Sequence, residues 1–571
     1  MSSKQAGGVT TVPDRWRPGR LAPATGRTGL LGWAATTDHK RIAILTFATA
    51  LGLMLVFSGL AFTMRAQLAV PNNDILSAHV YDEFFTIHGS GMIYLGITPL
   101  AMALGVYLVP LQVGAPAIAA PRICLAGYWC YVAGALLILG GFLTQGGAAS
   151  NGWYAYTPLS TETYSPGRGM FLWIAGVFIA GLGMIFMAGC TLWTALRRRA
   201  PEMGLFQMPL MTWSNVVTTM MVVASFPSLL AAMTMLGIGR FEPQLYQHNL
   251  WNLAYEIIFW FYGHPVVYVM FFPFTGIVME VIAVFSRRRS FGYKVTVFAL
   301  LAFGALSMTV YGHHLFTTGQ VTNPYFSFTS TLLIAPAGME YFGFFATLIG
   351  GKIRFTTAML FALTFLPQFF VGGATGVMLA SPVFDYQANL SYFVVAHFHY
   401  TLLAGSVFGF MAGLYYWFPK VTGVMLRESI GKAHWALMTI GTNLTFLPMF
   451  FLGLDGMPRN ISTYPASAGW STLNLISSIG AGILLLSILA LLTNLVVSLR
   501  HRRPAPANPW QAFTLEWATS SPPPRLNFEG PMPPIRTFLP LLDLMEEREG
   551  RPSADRPRAE PPAGAPPTEA T

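Results

Sequence analysis

At 571 residues the chain is 54% hydrophobic, 14% aromatic and only 10% charged, with a positive mean hydropathy. That mix excludes a soluble globular enzyme and points to a protein dissolved in lipid. The formal net charge of +10 is spread between apolar stretches and not gathered on one domain, so nucleic acid is not an expected partner.

Residues 1 to 38 carry scattered Arg, Gly and Pro without a hydrophobic signal core, and read as a cytoplasmic tail. A membrane helix needs about 20 apolar residues. Twelve such segments follow, near 42–64, 85–110, 124–146, 169–196, 209–237, 251–285, 291–318, 327–350, 355–380, 390–418, 433–454 and 471–499. The expected fold is therefore an all-α integral membrane protein, with residues 39–503 as one twelve-helix domain. Orientation follows from the basic residues. Arg197, Arg198 and Arg199, then Arg287, Arg288 and Arg289, then Lys352 and Arg354, then Lys420, Arg427 and Lys432 all fall on one side, together with both ends of the chain. Short loops rich in Lys and Arg stay in the cytoplasm, so both termini are expected there. Residues 504–571 form a second cytoplasmic tail rich in Pro and Ala, its last part (about twenty residues) expected to be disordered. Cys124, Cys130 and Cys190 lie in apolar segments without metal-type spacing and read as packing residues.

Ionisable groups inside a membrane are costly and usually functional. Six of the eleven histidines, His88, His264, His313, His314, His397 and His399, fall in predicted spans. The alternating direction of the spans puts all six near one depth, toward the outer face. Structural histidines have no reason to share a layer, whereas ligands of common cofactors must. Residues two apart on a helix diverge by about 200°, so His397 and His399 in "HFHY" face opposite ways and one helix can serve two cofactors. His313 and His314 diverge by about 100°, close enough to reach one ion, and with His264 they make a three-imidazole site suited to copper or zinc. Tyr268 stands four residues after His264, on the same face and one turn deeper, where its phenol can supply a proton and an electron beside a metal.

These residues sit in motifs that resemble a known family. "TIHGSGM" (86–92), "GHPVVY" (263–268), "GHHLFTTG" (312–319), "VVAHFHY" (394–400), "GLDGMPR" (453–459) and "NPWQAFTLEWATSSPPP" (508–524) are similar, in order, to the large subunit of heme-copper terminal oxidases, cytochrome c oxidase subunit I. The resemblance spans roughly residues 35 to 535 and implies that family's twelve-helix arrangement. It implies two hemes, of A type, and one copper ion. His88 and His399 would be the axial ligands of the low-spin heme, and His397 the proximal ligand of the high-spin heme. His264, His313 and His314 would hold the copper. Tyr268 would be covalently joined to His264, and these two would be catalytic in reducing O2 to water. Arg459 matches an arginine that pairs with heme propionates, and Asp385 an acidic residue of the same outer region. The expected partners are subunit II, which carries the copper centre where electrons enter, subunit III, small subunits, and cytochrome c or a cupredoxin as donor. The expected location is the inner membrane of a bacterium. The tyrosine separates the chain from nitric oxide reductases, which lack it and carry glutamates around a non-heme iron.

The departures from the family pattern concern protons. The glutamate usual two residues after the span-six histidine is Val266, the aspartate after "GAP" is Ala117, and the next asparagine pair is Cys124 and Leu125. Where a second lane carries a lysine, this chain has Glu340, expected to handle protons on the way to Tyr268. Tyr262 is similar to a tyrosine that stands in for the missing carboxylate in one oxidase subgroup, although Gly263 follows it. Asn389 and Leu390 replace the usual magnesium ligands, so that metal is not expected. Asn460 replaces the second propionate arginine.

The main expectation is a cytochrome c oxidase coupled to proton translocation. A quinol oxidase of the same superfamily is the nearest alternative, disfavoured by Val80 and Glu83 at positions associated with a quinone pocket. A histidine-gated transporter without redox activity is the alternative from another class.

Overall fold

The computed structural model describes residues 29–247 and 249–550. The tail up to residue 28 and the expected disorder after 550 lie outside the described residues. Twelve helices among the described residues are long and apolar enough to cross a membrane. Spans one to six are His39–Gln67, Ala78–Gln112, Pro121–Leu143, Arg168–Arg197, Leu210–Phe241 and Asn249–Ser286. Spans seven to twelve are Tyr293–Thr318, Asn323–Leu348, Thr357–Leu379, Tyr392–Thr422, Glu428–Leu454 and Ser471–His501. The protein is multi-pass and all-α, as the hydropathy pattern predicts, because lipid offers no partner to an unpaired backbone group and only helices satisfy theirs internally here.

Burial sorts the spans. The apolar window of span two is 94% buried within the protein, and those of spans one, eight and twelve only 28%. The outer spans therefore present side chains such as Val56, Phe342, Phe370 and Leu486 outward, as a lipid-facing surface requires. Close approach between helices relies on small residues. On spans three and four, a Cβ added to Gly134 would come within 2.5 Å of the Gly176 carbonyl, and one on Gly183 within 2.5 Å of the Gly127 carbonyl. Any larger side chain there would push the pair apart.

Helical regularity breaks where the histidines stand. Span two is π-helical over Gly91–Ile97, just after His88, and span ten over Leu402–Val407, just after His399. Span six is interrupted at Met270 and Phe271, and span seven ends in a tighter 3-10 turn, Tyr311–Thr318, that carries His313 and His314. Such irregular turns collect at functional sites.

After span twelve the chain returns across the arginine-rich ends of the bundle. Trp510 Nε1 donates to the Tyr416 carbonyl at 2.8 Å, and Lys420 Nζ to the Ala507 and Thr519 carbonyls at 2.9 and 2.7 Å. A short helix, Pro540–Arg548, is held by Arg289, which pairs with Asp543 at 2.5 Å and Glu546 at 2.6 Å.

Candidate metal and heme centre

One apolar cavity of about 1600 Å³ runs through the bundle, and all six predicted histidines line it. So do Tyr268, Asp385 and Arg459. The ligand atoms of His264, His313 and His314 lie within 4.8 Å of one another. His264 Nδ1 is 3.0 Å from His314 Nε2. Two ligands about 2.0 Å from a tetrahedral ion sit about 3.3 Å apart, so the donor set fits a single metal with little movement.

Neighbouring groups set which nitrogen each ring offers. His313 Nδ1 lies 2.8 Å from Ser330 Oγ, and that hydroxyl itself donates to the Phe326 carbonyl at 2.5 Å. The serine can then only accept from the ring, so Nδ1 carries the proton and Nε2 is free for the ion. Trp260 stacks on His314 with centroids 3.7 Å apart and planes 12° from parallel. His264 Nε2 is buried without a partner, and the Tyr268 ring is 4.7 Å away, centroid to centroid.

The second group of histidines spans a gap. His88 and His399 rings lie 6.5 Å apart with planes 11° from parallel. Two imidazoles bound to one ion from opposite sides, each about 2 Å from it, place their centroids about 6 Å apart. Carbonyls only accept, so the Phe57 carbonyl (2.9 Å) fixes a proton on His88 Nδ1, and the Val395 carbonyl (2.8 Å) does the same for His399. Each ring thus has Nε2 available. His397 Nδ1 is held by the Gly372 carbonyl at 3.0 Å and sits 3.2 Å from Thr375 Oγ1. Gly376 makes room for that ring, since a Cβ there would lie 2.9 Å from His397 Cε1. The residues present fit two hemes and a copper ion.

At the end of the bundle opposite the arginine-rich loops, Asp385 and Arg459 come from segments that the fold ties together. Arg459 N donates to the Leu390 carbonyl at 2.8 Å, and Tyr392 N to the Met457 carbonyl at 3.0 Å. Arg459 Nη2 donates to Tyr154 Oη at 3.2 Å, while its Nε is buried without a partner. Asp385 accepts from Asn389 at 3.2 Å, and burial pushes its carboxyl up to about 6.

Glu340 is buried in span eight, with Oε1 unpartnered. Its neighbours Ala337, Gly338 and Tyr341 line the cavity. Tyr262 is fully buried, its hydroxyl unpartnered, and its ring stacks on Tyr94 at 6.1 Å. Sequence reasoning missed Trp260, Ser330 and Gly376, which act through position alone. It also passed over His434 in span eleven, which lines the cavity and pairs through Nδ1 with the Tyr415 hydroxyl at 3.1 Å.

A twelve-span bundle with paired and tripled imidazoles around one interior cavity defines an integral-membrane metalloenzyme of redox type. Residues 41–483 match the family described as Cytochrome C and Quinol oxidase polypeptide I. The chain is 42% identical over 527 residues to cytochrome c oxidase subunit 1 of Corynebacterium efficiens, covering 91% of this chain and 90% of the relative. The same subunit of Corynebacterium glutamicum is 41% identical over 524 residues, with 91% and 90% covered. In three dimensions the fold matches a heme-copper terminal oxidase dimer solved by cryo-EM, with a TM-score of 0.68 at 17% identity, over 81% of this chain and 84% of that one. The chain belongs to the cytochrome c and quinol oxidase polypeptide I family. It is the catalytic subunit of a terminal oxidase, an oxidoreductase of the respiratory chain built on heme and copper centres.

Proposed function

We propose that the chain reduces O2 to water with electrons from reduced cytochrome c or a similar small redox protein, handed on by a subunit II that bears its own copper centre. The observation that carries this is the pairing of His88 with His399 across one part of the cavity and the cluster of His264, His313 and His314 in another. His88 and His399 hold a low-spin heme, His397 a high-spin heme, and the three clustered histidines a copper ion; the hemes are of A type. When bound, those groups supply the electrons and the site for oxygen.

The side chains do the rest. Backbone carbonyls orient His88, His397 and His399, and Ser330 orients His313, so no ring must turn when a cofactor arrives. Tyr268 donates a proton and an electron from beside His264; a bond joining the two rings would replace one N–H and one ring C–H, with O2, the substrate, taking up the two electrons and two protons. Asp385 and Arg459, which line the cavity, would meet the acidic groups of a bound heme. Protons reach Tyr268 by way of Glu340, and Tyr262 orders water near the copper histidines. A Glu340→Gln variant with wild-type turnover and proton uptake would remove Glu340 from this scheme.

In this reading both termini lie in the cytoplasm of a bacterium, residues 39–503 form the oxidase domain in its inner membrane, and residues 1–38 and 504–571 flank it; subunit III and small subunits complete the assembly. The test uses the purified complex. It should show heme absorbance in a reduced-minus-oxidised spectrum and consume O2 with reduced cytochrome c. Oxygen consumption with quinol alone would transfer the assignment to a quinol oxidase, and absence of heme absorbance would end it.

A further inference from the structure

Below the histidines, at the arginine-rich ends of the spans, lies a buried carboxyl pair that the oxygen site does not use. Gln112 Nε2 donates to Glu280 Oε1 at 2.9 Å and to Glu516 Oε1 at 3.2 Å. Trp417 Nε1 donates to the same Glu516 oxygen at 3.1 Å, and Thr212 Oγ1 donates to Gln112 Oε1 at 2.8 Å. Glu280 is 6% exposed and Glu516 0%. The second oxygen of each carboxyl is also buried, with the Met211 backbone beside Glu280 and the Thr514 hydroxyl beside Glu516.

The charges around the pair do not balance two carboxylates. Span two brings Gln112, span five Thr212, span six Glu280, span ten Tyr416, Trp417 and Lys420, and the C-terminal segment Glu516 and Trp517. Lys420 is the one cation among these residues, and it already donates to the carbonyls of Ala507, Thr519 and Ser520. Two like charges sharing one amide in a dry interior do not both ionise, so a proton remains on the pair. Burial moves the Glu516 carboxyl upward in the same sense.

Independent features point to something being passed through this site. The Tyr416 hydroxyl is buried, and its ring packs on Trp417 and Trp517 with centroids 4.6 and 5.0 Å away. A second cavity of about 10 Å³, room for one water, opens between Glu280, Pro209, Leu210, Phe513 and Thr514. Above the pair, residues 112, 105 and 98 of span two are seven apart, hence on one face and about 10 Å from one to the next. At the middle position, Gly105, an added Cβ would lie 2.6 Å from Asn215 Oδ1 of span five. Asn215 Oδ1 and Thr98 Oγ1 are both buried without partners. Buried polar atoms need a partner, and the seven-residue spacing puts these two in file from the carboxyl pair to Thr98, whose chain neighbour Ile97 lines the metal cavity.

We propose that Glu280 and Glu516 share a proton across Gln112 and form the intake of a proton route that climbs between spans two and five, past Asn215 to Thr98. The proposal rests on the oxidase reading, in which reducing O2 to water consumes a proton with every electron. Each transfer breaks one O–H bond on the donor and makes one on the acceptor, so no further reactant is required.

The decisive variant is Thr98→Val in the purified complex reconstituted in vesicles. If Thr98 only fills space, removing an unpartnered hydroxyl leaves turnover unchanged. On the proposed route, proton uptake from the arginine-rich side and turnover both fall roughly tenfold, the change expected when a path loses one group that passing protons must hydrogen-bond to, while heme spectrum and copper content stay at wild-type values. Uptake equal to wild type overturns the route. The wild-type infrared spectrum should show a protonated-carboxyl band at neutral pH that Glu280→Gln removes or shifts, and a band left in place overturns the shared proton. Thr98→Val keeps the test decisive even where the glutamine variant fails to assemble. A wild-type complex without heme absorbance or O2 consumption would sink the oxidase reading instead, a separate result.

Discussion

Ser330→Ala isolates the part of the copper site that belongs to the protein alone. Ser330 Oγ donates to the Phe326 carbonyl at 2.5 Å and accepts from His313 Nδ1 at 2.8 Å. Alanine leaves the ring N–H buried without an acceptor and frees His313 to rotate or to move its proton to Nε2, where the ion binds. Losing one neutral hydrogen bond costs about 1 to 1.5 kcal/mol, and removing an outer partner of a ligating histidine lowers metal affinity about 10- to 100-fold. The two ranges meet near tenfold. Purified wild-type and variant complexes, equilibrated against a graded copper chelator, should lose copper at midpoints about tenfold apart in chelator concentration. Ser330→Thr, which keeps the hydroxyl, should stay close to wild type. Coincident curves for Ser330→Ala and wild type would refute the claim that this hydroxyl sets the ring's proton.

Other outcomes follow from the same geometry. Tyr268→Phe removes the phenolic proton while leaving the ring packed against His264, so turnover should fall by about 100-fold or more with copper and heme content intact; wild-type turnover would contradict the assigned role. Gly376→Ala places a Cβ 2.9 Å from His397 Cε1, forcing that ring to move by about 0.5 Å in a close-packed interior. The heme held by His397 should then drop relative to the one held by His88 and His399 in the reduced spectrum, and an unchanged ratio would argue against His397 as its ligand. Asp385 has its carboxyl pushed by burial from 3.8 to about 6, so its neutral form is the one the fold favours. Its contribution to stability is full below 3.8 and is lost as pH rises through about 6. The gap in thermal midpoint between wild type and Asp385→Asn should shift across that window and level off above it; a constant gap counts against the shift.

Much of this architecture was legible because lipid simplifies the code. Hydropathy alone placed twelve spans, since a segment that must satisfy every backbone group internally has few alternatives to a helix. The gathering of the six histidines on one cavity was foreshadowed for the same reason: direction alternates from span to span, so position along a span can be compared between spans. What distance in sequence conceals is contact between spans. Ser330 meets His313, Gly376 yields to His397, and Trp260 covers His314, yet each is an ordinary membrane residue in its own segment. The 3-10 turn bearing His313 and His314 escaped the uniform helical geometry used to place them. Glu280 reads as a lone charge near a span end, and Glu516 as part of a tail. Only folding brings them to one amide.

The segment from Trp510 to Arg548 is made after all twelve spans. During synthesis the hydrophobic core is therefore threaded into the bilayer while its inner mouth still lacks Glu516, Trp517 and the Asp543–Arg289 clasp. Domains fold in the order the ribosome delivers them, so closing that end of the bundle is a late event in biogenesis.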